Sequence, residues 1–128
     1  MENYAASAET LKALAHPTRL AVLEILRDGE QCVCHMEATL GLRQPKISQQ
    51  LMILRQAGLV NFRRDGLNIY YRVIKPQVFR VVDAVYAASG SHRPRIAHKH
   101  ARENCPCPKC HSVRSISPSE ISVRGRAT

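Results

Sequence analysis

A chain of 128 residues makes one small domain, large enough for a single hydrophobic core and small enough to gain from dimerisation. Its net charge of +9 is uneven: residues 1–42 sum to −3, residues 43–75 to +6 and residues 76–128 to +6. A basic half that begins at Arg43 is what a polyanion-binding surface looks like, because phosphate neutralisation supplies most non-specific affinity for nucleic acid. Met1–Ala15 lacks the charged start and apolar run of a secretory signal, and no stretch nears the roughly twenty apolar residues that span a bilayer. The expectation is a cytoplasmic protein without a membrane partner. No nucleophile, base and oxyanion constellation and no phosphate-cradling loop is visible, so the chain reads as no enzyme and as needing no organic cofactor. Five cysteines in a reducing compartment favour metal binding or thiol reactivity over structural disulfides.

Ala5–Ala15 reads as a short helix with Ala8, Leu11 and Leu14 on one face, and Pro17 suits the first turn of a second helix running to about Arg27. Leu20, Leu23 and Leu26, widened by Val22 and Ile25, form its apolar stripe, and Gly29 is placed to end it. A short third helix covers roughly Cys34–Leu40 and stops at Gly41. Pro45 and Gly58 then bound a helix of about twelve residues that sets Ile47, Leu51 and Leu54 on one side. After Gly58 the period changes to two. Val60 and Phe62, a turn at Arg64-Asp65-Gly66, then Ile69, Tyr71 and Val73 predict a two-stranded hairpin with a basic tip. Pro76 opens a last helix whose Val78, Val81, Val82, Val85 and Tyr86 make an apolar stripe to about Ser89. From Gly90 the composition turns polar and basic, rich in Ser, Pro and His. The division is therefore residues 1–89 as a DNA-binding and dimerisation domain and 90–128 as a flexible basic tail carrying cysteine and histidine.

Helix, short helix, longer helix and basic hairpin, in that order, predict a mainly α fold with a β-hairpin wing (α+β): a winged helix-turn-helix, with Gly41 at the centre of the tight turn. The helix after that turn enters the major groove, and the wing grips phosphate or the minor groove. Gln44 and Gln49 suit adenine edges, Lys46 guanine or phosphate, and Ser48 a short hydrogen bond. Arg63, Arg64 and Arg72 on the hairpin are the phosphate contacts. Met52 and Ile53 are expected to pack against neighbouring elements. Ordinary solvated helix is the bland alternative for Gln49 and Gln50.

Leu14-Ala-His-Pro-Thr-Arg-Leu-Ala-Val-Leu, Cys32-Val-Cys34, Leu40-Gly-Leu-Arg-Gln-Pro-Lys-Ile-Ser-Gln-Gln-Leu, Leu54-Arg-Gln-Ala-Gly-Leu-Val, and Arg64-Asp-Gly through Tyr70-Tyr-Arg, in this order, resemble the ArsR/SmtB family of metalloregulatory repressors over residues 8 to 89. The resemblance implies a homodimer paired through its first and last helices, binding double-stranded operator DNA of inverted-repeat symmetry and released by an inducing ion. Many members carry two histidines where Gln49 and Gln50 stand, so operator preference does not carry over. Zinc-sensing members place Asp-x-His in the last helix, where Asp83 is followed two residues on by Val85. His100-Ala-Arg-Glu103 has the spacing of the other half of that site but lies beyond a Gly-Ser-His-Arg-Pro break.

Cys32 and Cys34 occupy the position that arsenic-, cadmium- and lead-responsive members use. Residues two apart in a helix point about 200° apart, so both sulfurs reach one ion only if Cys32 lies outside the helix or the turn is distorted. Binding there should pull the third helix from its DNA-competent geometry, and a helix N-terminus favours the thiolate that soft ions need. Trivalent arsenic takes three sulfurs, and some members supply the third where this chain has Glu37, an oxygen ligand poorly suited to arsenic. Cys105, Cys107 and Cys110 are the candidates to complete the set, across a linker of about fifteen residues that spans roughly 20 Å as a coil. Alternatively Cys105-x-Cys107-x-x-Cys110, with His111, forms its own site, which would bind an ion without moving the DNA helix. The expected inducer is As(III) or Sb(III), with Cd(II), Pb(II) or Zn(II) as rivals. A thiol redox or persulfide sensor, pairing Cys32 or Cys34 with a tail cysteine, is a second reading. Outside this class stands a metal-buffering protein.

Overall fold

A computed structural model describes residues 1–97, so Cys105, Cys107, Cys110 and the rest of the tail lie outside the described residues. Five helices and three strands follow one another as α1 (Glu2–Leu14), α2 (Pro17–Leu26), β1 (Gln31–Cys32), α3 (Val33–Leu40), α4 (Gln44–Gln56), β2 (Val60–Asp65), β3 (Asn68–Val73) and α5 (Val78–Ala88). The first helix begins three residues earlier than its apolar spacing suggests, with Glu2 in the first turn, where a carboxylate favours the helix dipole. Pro17 opens α2, and the His16 ring caps it by accepting from the Thr18 N–H at 3.1 Å.

The strands form one antiparallel sheet in the order β1-β3-β2. Two-residue β1 pairs Gln31 with Tyr71 and Cys32 with Tyr70, so the expected two-stranded hairpin has a third strand on the far side of β3. That strand was not legible as a strand because two residues carry no periodicity. Tyr71 and Val73 pack against the core as the alternation predicts, but Tyr70 on the opposite face, expected to be polar surface, is 2% exposed, opposite Cys32 of β1 in the sheet.

Two glycines make the turns that bound α3 and α4. Gly41 ends α3 at φ +66, a left-handed conformation open to glycine, and donates its N–H to Glu37 O at 2.8 Å. Gly58, at φ +76, closes α4: its N–H donates to Arg55 O and the Leu59 N–H to Leu54 O, satisfying two terminal carbonyls before the chain enters β2. Ile47, Leu51 and Leu54 of α4 are fully buried against Val22, Leu23 and Ile25 of α2 and Met36 of α3. Burial of this order supplies about 1.5–3 kcal/mol per side chain and fixes the face α4 turns outward. Val78 and Val82 join the core from α5, whereas Val81 and Val85 stay exposed. No helix among the described residues is long and apolar enough to cross a membrane.

Candidate functional site

With Ile47, Leu51 and Leu54 inward, α4 presents Gln44, Lys46 and Gln49 to solvent, with Ser48 half-buried at the edge. Gln44 Nε2 lies 3.5 Å from Ser48 Oγ, one turn on. Met52, expected to pack, is 49% exposed and falls three residues after Gln49, which adds it to this face. Gln50 departs from the solvated alternative. It is 7% exposed, and its Oε1 accepts from Arg19 at 2.9 Å. The same guanidinium donates to the Ala13 carbonyl at 2.7 Å and the Lys12 carbonyl at 3.3 Å. Arg19 thus bolts the end of α1 to the middle of α4.

On the wing, Arg64 and Arg72 are exposed. Arg63 is engaged: its Nε and Nη2 donate to the two Glu30 oxygens at 2.8 Å each, and its guanidinium lies 4.7 Å from the Tyr70 ring centroid. The hydrogen bonds to Glu30 raise its pKa above the ordinary guanidinium value. Glu30, one residue before β1, carries no local signal of this role because its partner lies 33 residues away.

Cys32 is the residue just before α3, extended at φ −82 and ψ 161, and Cys34 sits in the helix's first turn. The condition set by helical geometry, that the first cysteine stand outside the helix, is met. The Cα atoms are 5.3 Å apart and the two sulfurs are joined as a disulfide. Cys32 is 3% exposed, and the His35 N–H points at its sulfur at 3.4 Å, the contact a helix N-terminus offers to a thiolate. A cavity of about 370 Å³ opens beside the pair, lined by Val33 and Glu37 of α3, Gln44 of α4, and Leu67, Asn68 and Ile69 of the wing. The cysteine pair is therefore in one space with the start of α4 and the tip of the hairpin. Opened to two thiols, the pair would offer two of the three sulfurs that trivalent arsenic takes, while Glu37 offers only oxygen. Among the described residues no group of three or more His, Cys, Asp or Glu side chains is placed to hold a metal ion.

A second polar cluster ties α2 to α5. Glu24, 2% exposed, accepts from Arg27, from the Tyr86 hydroxyl at 2.7 Å and from Arg93 at 3.3 Å. Burial pushes its carboxyl up, but the hydrogen bonds from Arg27, Tyr86 and Arg93 outweigh that and leave it below the usual range. Arg27 also holds Asp83 at 2.7 Å, lowering that carboxyl as well, so the aspartate of the last helix is occupied by an ion pair. Glu24 lies within a run of apolar residues; Arg27 stands one helical turn on, while Tyr86 and Arg93 are 62 and 69 residues away and no local pattern announces them.

Residues 16–61 match the family model described as bacterial regulatory protein, arsR family. The biofilm growth-associated repressor of Agrobacterium fabrum is 47% identical over 77 residues, covering 60% of this chain and 66% of that protein, just under two thirds. The arsenical resistance operon repressor of Escherichia coli is 34% identical over 101 residues, covering 76% of this chain and 86% of that one. The solution structure of a homodimeric winged helix-turn-helix DNA-binding domain from Mycobacterium bovis superposes with a TM-score of 0.63 at 31% identity, covering 77% of this chain and 92% of that domain.

Proposed function

This chain belongs to the ArsR family of bacterial transcriptional regulators, and we propose that it is a dimeric repressor released from its operator when arsenite or another thiophilic ion is bound by Cys32 and Cys34. The observation that carries this reading is the meeting of both sulfurs at the junction of β1 and α3, beside Gln44 of the reading helix and Leu67–Ile69 of the wing. A ligand shifts an equilibrium only by its differential affinity for two states, and a site wedged between three DNA-facing elements can differ between them. Gln44, Lys46, Ser48 and Gln49 read base edges, and Arg64, Arg72 and, in competition with Glu30, Arg63 hold phosphate. Exposed Tyr4 and Leu11 of α1 and Val81 and Val85 of α5 are apolar surface suited to a second copy of the chain, in keeping with the homodimeric Mycobacterium bovis domain. The tail cysteines Cys105, Cys107 and Cys110 supply the third sulfur for inorganic arsenic.

The joined sulfurs favour a second reading, a dithiol–disulfide switch confined to Cys32 and Cys34 in place of a bridge to the tail. Fluorescence anisotropy of labelled upstream DNA, with reduced protein titrated separately with arsenite, Cd(II), Pb(II), Zn(II) and hydrogen peroxide, separates the two. Release by arsenite at micromolar concentration supports the ion reading. Release by peroxide alone refutes it in favour of the redox one.

A further inference from the structure

Arg27, Arg55 and Arg63 each lay a guanidinium over an aromatic ring, but they differ in what else they hold. Arg27 lies 4.5 Å from the Phe79 ring centroid and is bound by Glu24 and Asp83, and Arg63 lies 4.7 Å from that of Tyr70 and is bound by Glu30. Arg55, in the last turn of α4, lies 4.9 Å from the ring centroid of Phe62 on β2, is exposed, and has no carboxylate or other side-chain acceptor among the described residues. Phe62 is a firm seat: it is half-buried, and its ring centroid stands 5.5 Å from that of Tyr71, which packs against the core. A guanidinium held by its face keeps its N–H groups at the edge, oriented and unneutralised, in the fork that suits a phosphate. The helix dipole accounts for a cation at the end of α4 but not for its seat, since a freely solvated side chain offsets the dipole as well.

Arg55 also lies on the edge of α4 that follows the wing. It comes seven residues after Ser48 and eleven after Gln44, so at 100° per residue it falls within about 20° of both. Gln44 begins this edge beside Leu67–Ile69 of the hairpin tip, and Arg55 ends it against β2. With α4 in the major groove and the wing over the neighbouring minor groove, the sugar–phosphate backbone that separates the two grooves runs along this edge. Resting on the reading of α4 and the wing as the DNA-binding surface, we propose that Arg55, seated on Phe62, binds a phosphodiester of the operator backbone where it passes between α4 and the wing. The contact carries no sequence information. It fixes the depth and register of α4, leaving Gln44, Lys46, Ser48 and Gln49 to read the bases.

The test measures binding of the reduced, full-length protein to labelled upstream DNA and to a labelled duplex of unrelated sequence, by anisotropy across a series of KCl concentrations. Arg55→Met should weaken both duplexes by the same factor, about tenfold, and lower the salt slope by about 1 per protomer, while the urea midpoint moves little. Arg55→Lys should keep the slope, because the charge remains, and recover part of the affinity. Phe62→Leu, which keeps Arg55 and an apolar side chain beneath it, should weaken both duplexes about threefold with the slope unchanged. Joined to Arg55→Met it should cost nothing further, since the ring acts on DNA only through the guanidinium. An unchanged slope in Arg55→Met, whether or not the urea midpoint falls, overturns the proposal and leaves the repressor reading intact. A loss confined to the upstream DNA, or wild-type affinity in Phe62→Leu, does the same. A wild type that binds upstream DNA no better than the unrelated duplex overturns both.

Discussion

Replacing Arg19 with Met removes the bolt between α1 and α4 while keeping most of the side chain's length. Three donated hydrogen bonds disappear, to Ala13 O at 2.7 Å, Gln50 Oε1 at 2.9 Å and Lys12 O at 3.3 Å. A hydrogen bond involving a charged group is worth about 1.5–3 kcal/mol net when buried. The third of these is exposed and long, and the other two are part-buried, so the sum is discounted to about 2–3 kcal/mol. With an m-value of about 1–1.5 kcal/mol/M in urea for a domain of this size, the midpoint should fall by about 2 M at fixed protomer concentration. Gln50→Ala alone should cost about 1–2 kcal/mol, and the double variant should lose less than the sum, with a coupling of about 1 kcal/mol. Urea unfolding followed by circular dichroism measures all four proteins. A midpoint shift below about 0.3 M for Arg19→Met, or full additivity of the pair, would show that the bolt does not set the position of the reading helix.

Other outcomes follow from the same contacts. Tyr86→Phe should lose about 1–2 kcal/mol at neutral pH through the hydrogen bond to Glu24. Burial first, and that hydrogen bond second, push the phenol up to about 12 from 10.0, so the folded state holds the proton more tightly; the contribution is whole below pH 10 and fades as pH rises towards 12, where the two proteins should converge in chemical denaturation. Gly41→Ala meets no atom within 4 Å of its new Cβ, yet places alanine at φ +66, and should cost about 1–2 kcal/mol in the same assay. Arg64→Ala should lower the salt slope of operator binding by about 1, and Glu30→Gln, which weakens the hold on Arg63, should steepen it; an unchanged slope in both would remove the wing from the phosphate contacts.

What could be read in the sequence was what is local and repeated. Ile47, Leu51 and Leu54 named the buried side of α4 at helical spacing, and Pro17, Gly41 and Gly58 marked ends where a ring or a positive φ is needed. Cys32 stands outside the helix, one of the two arrangements, the other being a distorted turn, that the angle between residues two apart allows if both sulfurs are to reach one ion. What stayed hidden depends on partners distant in the chain. Gln50 looked like solvated surface until Arg19, 31 residues earlier, turned it inward. Tyr70 is buried opposite Cys32 of a strand that two residues cannot advertise and under the Arg63 guanidinium, itself held by a carboxylate 33 residues away. Met52 differs in the opposite direction: its apolar side chain suggests packing against neighbouring elements, yet Ile47, Gln50, Leu51 and Leu54 already fill the inner face of α4.

The claim on which everything else hangs is that the chemistry of Cys32 and Cys34 governs the grip on DNA. The direct measurement is operator release by arsenite from the Cys32→Ser, Cys34→Ser variant beside the wild type, both reduced and both binding DNA beforehand. The account predicts that the variant stays bound at concentrations at least a hundredfold above those that release the wild type. Equal release from both proteins would contradict it.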